Sequence, residues 1–138
     1  MIFRIILASS IFGLVACGAQ TTANSGDRLE QVENDCGVLA TEASLNTGKA
    51  ATQNFCYCMV QLLEEGPDVN VDAVGQTLAV VTEEHKKSGK KYGEIATTLR
   101  EAAEASNASG RSVSLGIGVD LVEDISKKIK KRSKSGTC

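Results

Sequence analysis

Residues 51 to 67 read Ala-Thr-Gln-Asn-Phe-Cys-Tyr-Cys-Met-Val-Gln-Leu-Leu-Glu-Glu-Gly-Pro, and the fold is decided by this stretch. Ala51, Phe55, Cys58, Met59 and Leu62 recur at steps of three and four, the period of a helix with one buried face. Gly66-Pro67 then stops that helix near Glu65, because proline has no amide to donate and its ring clashes with the preceding turn. The same spacing continues in both directions. Upstream, Leu29, Val32, Cys36 and Leu39 predict a first helix over about residues 27 to 40, with Ser25 or Asp27 as its cap. Mostly polar residues 41 to 48 make the connecting turn. Downstream, a third helix begins between residues 68 and 72 and carries Val74, Leu78 and Val81. It ends at Lys86-Lys87-Ser88-Gly89, a basic last turn followed by glycine. A fourth uses Tyr92, Ile95, Leu99 and Ala102 or Ala103, and closes before residues 107 to 110.

The fifth segment carries two conflicting periods. Val113, Leu115, Ile117, Val119 and Leu121 alternate with small or polar residues as a strand would. Gly118, Val122, Ile125 and Ile129 fit a helix, and no partner strand exists elsewhere in the chain. A helix from about residue 116 to 131 is the expectation. The fold class is therefore all-α, a small antiparallel bundle of four to five helices, stapled by disulfides.

The first eighteen residues carry an address. Arg4 precedes an apolar and small-residue run over residues 5 to 16, the order of a secretory signal. That run is too short to cross a hydrocarbon core, which needs about 20 residues. Polar residues 18 to 26 follow, so no stop-transfer segment does. Leu14-Val15-Ala16-Cys17 resembles the lipobox of bacterial lipoproteins, with Leu14 at −3, a small residue at −1 and a thiol at +1. The resemblance implies that Cys17 accepts a diacylglyceryl group, that a peptidase cuts just before it, and that the new amino terminus is usually acylated too. Two or more chains hold stably, whereas one gives only about 10⁴ M⁻¹. In that class Gly18, in place of aspartate, implies transfer to the outer membrane, facing the periplasm. The chain then divides into a signal peptide (1–16), a lipidated amino terminus with a flexible tether (17–26) and a helical domain with a basic tail (27–138).

Four further cysteines, Cys36, Cys56, Cys58 and Cys138, make two disulfides in an oxidising compartment, with three possible connectivities. Residues i and i+2 of a helix point about 200° apart, so Cys56 and Cys58 do not share a face. Cys58 lies on the stripe with Phe55 and Leu62, which predicts a Cys36–Cys58 bridge worth about 3 kcal/mol in the loop-entropy model. Cys56 is left for Cys138, pinning the tail back onto the bundle. Exchanging the partners of Cys56 and Cys58 is the alternative.

Charge is uneven. The net charge of −2 becomes −3 once Arg4 leaves, and −9 when the tail bases Lys127, Lys128, Lys130, Lys131, Arg132 and Lys134 are set aside. No acid lies among residues 127 to 138. Such a run solvates a helix end and suits its dipole, or meets the chain's own acidic surface, or touches an anionic envelope surface. Nucleic acid is not an expected partner in this compartment.

Catalytic signals are thin. Cys56-Tyr57-Cys58 offers soft thiolates suited to Cu(I) or Zn, with His85, the single histidine, as a nitrogen ligand. A periplasmic thiol-based metal binder is accordingly the alternative function, weighed against a helix that sends the two sulfurs apart. For His85 the structural reading is a bond to the last carbonyls of its own helix. Redox motifs are C-x-x-C, not C-x-C. Gly116-Ile117-Gly118 lacks the third glycine and the strand of a dinucleotide fingerprint, and is read as a flexible start to a helix. Asn107-Ala108-Ser109 is a glycosylation acceptor in form only. Glu64-Glu65 and Glu83-Glu84 are surface neighbours on helices. The expectation is a non-enzymatic envelope lipoprotein with no cofactor, no metal site and no catalytic residue, acting through the bilayer at acylated Cys17 and an unknown envelope protein.

Overall fold

The computed structural model describes residues 25–42 and 49–134. They form a small antiparallel helical bundle, with five α-helices, one 3-10 segment and, among the described residues, no strand. In order these are α1 (Ser25–Asp35), the 3-10 segment Cys36–Thr41, α2 (Lys49–Glu64), α3 (Asp68–Ser88), α4 (Tyr92–Glu104) and α5 (Gly110–Lys134). No helix among the described residues is long and apolar enough to cross a membrane.

Helix α3 is the hub and touches every other element. It buries Val71, Val74, Thr77, Leu78 and Val81, a stripe at helical spacing wide enough to meet neighbours on more than one side. Its ends follow the sequence reading. Pro67 holds the extended N-cap position, and Gly89 adopts a left-handed φ of 70° while its amide donates to the His85 carbonyl at 2.8 Å. Only glycine takes that conformation without a Cβ penalty. Val32, Leu39, Met59, Leu63, Val119 and Val122 complete the fully enclosed core.

Two elements differ from the sequence reading. The first helix does not run unbroken to residue 40, and it begins at Ser25, inside the stretch taken as tether. At Cys36 it tightens to 3-10 winding, three residues per turn, which brings Cys36 and Leu39 to the same side of the coil. Both are enclosed, and Val38 is buried beside them. Gly37 weakens the α-helix at that point. The carbonyl of Asp35 instead accepts from Thr82 Oγ1 of α3 at 3.3 Å.

The second difference is α5, which starts six residues earlier than residue 116. Ser109 Oγ accepts the amide of Ser112 at 3.1 Å, the N-cap bond that begins a helix. The strand-like alternation of residues 113 to 121 thus lies wholly inside a helix. Gly116 and Gly118 are buried mid-helix, not at a flexible start. A Cβ on Gly116 would come within 2.6 Å of the Ala103 Cβ on α4. One on Gly118 would lie 2.5 Å from the Ala73 carbonyl oxygen of α3 and nearer still to Thr77 Oγ1. The two glycines let α5 approach α4 and α3 at once. Thr77, fully buried, uses the proximity to donate from Oγ1 to the Leu115 carbonyl at 3.3 Å.

Ion pairs tie the outer surfaces together. Arg28 of α1 pairs with Asp72 of α3. Arg100 of α4 reaches Asp120 at 3.0 Å and Glu123 at 2.7 Å, both on α5. These side chains are half-exposed, so each pair adds at most about 1 kcal/mol.

Candidate functional site

The amino-terminal signal, Cys17 and Cys138 lie outside the described residues, as does the side chain of Lys134. Among those described, two places concentrate chemistry: the cysteine junction between the 3-10 segment and α2, and the basic end of α5.

At the junction Cys36 is bonded to Cys56, with Cα atoms 5.6 Å apart. The expected Cys36–Cys58 and Cys56–Cys138 pairings are therefore both incorrect, and the alternative partner assignment for Cys36 holds. The reason is rotation of α2. Its enclosed residues are Met59 and Leu63, with Cys56 nearly so, while Phe55 and Leu62 are only partly buried. The buried face is centred about one residue's turn from the line drawn through Phe55, Cys58 and Leu62, and a residue's turn is 100°. Cys56 falls on the flank toward the 3-10 segment. Cys58 occupies the opposite flank, is also buried and is itself disulfide-bonded. Separation of the two sulfurs onto different partners is what a C-x-C pair on a helix requires.

With Cys56 and Cys58 both in disulfides, neither supplies the thiolate that soft-metal coordination uses. No cluster of three or more His, Cys, Asp or Glu side chains able to hold a metal ion occurs among the described residues. His85 Nδ1 donates to the Lys90 carbonyl at 2.6 Å, so the ring closes the turn after α3, one step beyond the helix's own last carbonyls. Glu83 pairs with Lys87 at 2.6 Å and Glu64 accepts from Gln61 at 3.2 Å, ordinary helix-surface partners.

The basic end continues a helix that is packed on one side. Helix α5 continues through Lys134, and Ile125 and Ile129 hold one side in the core while Lys127, Lys128, Lys130 and Lys131 are exposed. Arg132 turns back to Glu65 at the end of α2, its Nη2 lying 3.0 Å from Oε2. Hydrogen bonding and charge from that guanidinium hold the Glu65 carboxyl below the usual carboxylate range. Lys127 lies 3.4 Å from Asp124, one turn back. A cleft of about 400 Å³ opens alongside, floored by Leu62, Leu121 and Ile125 and edged by Lys128 and Arg132. The tail thus does in part what self-association with an acidic surface implies, through the Arg132–Glu65 pair.

One buried polar group carried no sequence signal. Tyr92 opens α4, where its amide donates to Thr41 Oγ1 at 3.1 Å and the Gly93 amide donates to Glu42 Oε1 at 2.5 Å. The 3-10 segment and its next residue thereby satisfy the free amides of α4. The Tyr92 ring is buried, and its hydroxyl finds no hydrogen-bond partner among the described residues. Burial, and then the nearby Glu123 carboxylate, push its ionisation above the ordinary tyrosine range. Two results are expected. Tyr92→Phe removes an unsatisfied hydroxyl and stabilises the domain by about 1 kcal/mol, measured by urea unfolding. Because the folded-state value is raised, the wild type loses stability as pH climbs past the unfolded tyrosine value of about 10, where only the unfolded chain ionises freely. That loss is smaller in Tyr92→Phe, and an identical alkaline slope in the two proteins contradicts this account.

No family model matches this chain, and neither a curated protein nor a solved structure resembles it significantly.

Proposed function

We propose that this chain is a lipid-anchored envelope protein whose helical domain works by contact with other envelope components and not by catalysis. The observation that carries the reading is Leu14-Val15-Ala16-Cys17 at the end of a short apolar run. Two features support it. The Cys36–Cys56 bond suits an oxidising compartment. Arg100 pairs with Asp120 and Glu123, and Thr41 and Glu42 cap α4, uses of polar groups that suit a structural module. In this reading Cys17 carries the lipid, residues 18 to 24 are the tether, and Gly18 directs the protein to the periplasmic face of the outer membrane. Cys138 is then the cysteine left to bond Cys58.

Mass spectrometry of the membrane fraction tests this directly. The expected species begins at Cys17 and carries diacylglyceryl and acyl mass. Cys17→Ser lowers the membrane-bound fraction by about tenfold or more, since no acyl chain remains to hold it. A mature protein without lipid, free in solution, overturns the anchor. Contact as the mode of action predicts a crosslinked envelope partner that disappears when residues 27 to 138 are deleted, and turnover of a substrate by the purified domain refutes it.

A further inference from the structure

The end of α5 has more than a helix terminus needs. Cations near a helix C-terminus are favourable, but the effect fades within the last turn, and Lys127 and Lys128 lie before it. At 100° per residue, positions 127, 128, 130 and 131 fall within an arc of about 160°. Ile125 and Ile129 lie opposite, enclosed in the core, so this face cannot rotate inward without unpacking α5. The rest of the chain from residue 17 is strongly acidic. The field of that acidic body favours an approach to an anionic surface with the tail lysines leading. We propose that the face bearing Lys127, Lys128, Lys130 and Lys131 docks the domain on a bilayer surface of anionic phospholipid headgroups. The proposal rests on the anchored reading, because the seven residues between Cys17 and α1 span at most about 25 Å and keep the domain within reach of the headgroups.

Each lysine close to an anionic leaflet strengthens partitioning about fivefold. The test uses the mature chain from residue 17 with Cys17→Ser, so that neither signal nor acyl chain contributes, and flotation with phosphatidylcholine vesicles with or without equimolar phosphatidylglycerol. Binding to the anionic vesicles alone is expected, with release in about 1 M salt, where the screening length is about 3 Å. Lys127→Gln, Lys128→Gln and Lys131→Gln together lower it about a hundredfold with helical signal and melting temperature unchanged. Lys86→Gln, Lys90→Gln and Lys91→Gln remove equal charge elsewhere and alter binding less than about twofold. Equal binding to neutral vesicles, insensitivity to salt, wild-type affinity in the first triple variant, or an equal loss in the second overturns the proposal. So does retention on isolated peptidoglycan without vesicle binding. The anchored reading fails by a separate measurement, the absence of lipid on Cys17, so the two are distinguishable.

Discussion

Gly118→Ala lowers the stability of the domain by about 3 kcal/mol, and Gly118→Leu leaves no cooperative melting transition. In an exposed helix the alanine change gains about 1 kcal/mol, because glycine is the poorer helix former. Here the added methyl meets the Ala73 carbonyl, which is backbone, and the buried Thr77 hydroxyl. Overpacking costs about 1–3 kcal/mol where side chains can shift, and the Ala73 carbonyl belongs to the central helix and cannot shift alone. Separating α5 from α3 also breaks the Thr77–Leu115 bond, worth about 1 kcal/mol net and more if its buried oxygen is left unpaired. The steric and polar costs therefore outweigh the propensity gain. Gly116 provides the control. Its obstacle is one methyl, that of Ala103, so Gly116→Ala costs about 1 kcal/mol, and combining it with Ala103→Gly costs less than the sum of the two by about 1 kcal/mol. Urea unfolding of the four proteins measures this. A Gly118→Ala protein as stable as wild type means that α5 does not pack this closely.

That same Gly-x-Gly pair marks where the sequence stopped being legible. Periodicity placed all five helices, and it placed the ends of α3 almost to the residue, because Pro67 and Gly89 act through backbone chemistry that is local. It misplaced the start of α5, since Ser109 is a modest signal beside the alternation of residues 113 to 121. That alternation arises because glycines occupy the positions where two neighbouring helices press in, leaving apolar residues between them. The face of α2 was misjudged for a related reason. Phe55 and Leu62 are the larger apolar residues and drew the line, yet burial was settled by what α1, α3 and α5 present to α2, which no local pattern records. Both cysteines of the C-x-C pair point in different directions, as the helix period requires, but their partners are exchanged: Cys36 bonds Cys56, so neither the Cys36–Cys58 nor the Cys56–Cys138 expectation holds. The unpartnered hydroxyl of Tyr92 depends wholly on tertiary packing. The basic tail was fully visible as composition, but its exposed arc exists only because Ile125 and Ile129 fix the rotation of α5.

Replacing Cys36 and Cys56 together by alanine costs about 3 kcal/mol, from the loop-entropy model applied to a sequence separation of 20. For a domain of this size that is a fall of about 12–20 °C in melting temperature. The consequence does not stay at the sulfurs. Cys36 begins the 3-10 segment, and that segment ends at Thr41, beside Glu42, the residues that accept the Tyr92 and Gly93 amides at the start of α4. Freed from α2, the segment is held by the buried Val38 and Leu39, by the Thr82 bond to the adjoining Asp35 carbonyl and by the α4 amides themselves. N-terminal amides without their acceptors cost about 1 kcal/mol at a helix start, so α4 loosens first at its amino-terminal turn. Hydrogen exchange resolves this from general destabilisation. The amides of Tyr92 and Gly93 are expected to exchange much faster in the double variant, while those in the middle of α3 slow or quicken only with global stability. The double variant is preferred to Cys56→Ala alone, which leaves the Cys36 thiol able to attack the disulfide at Cys58. Unchanged protection at residues 92 and 93, with the melting temperature lowered, means that the capping of α4 does not depend on the bond. A melting temperature within about 3 °C of wild type removes the larger claim, that this single crosslink supplies a substantial share of the roughly 5–15 kcal/mol that holds a domain together.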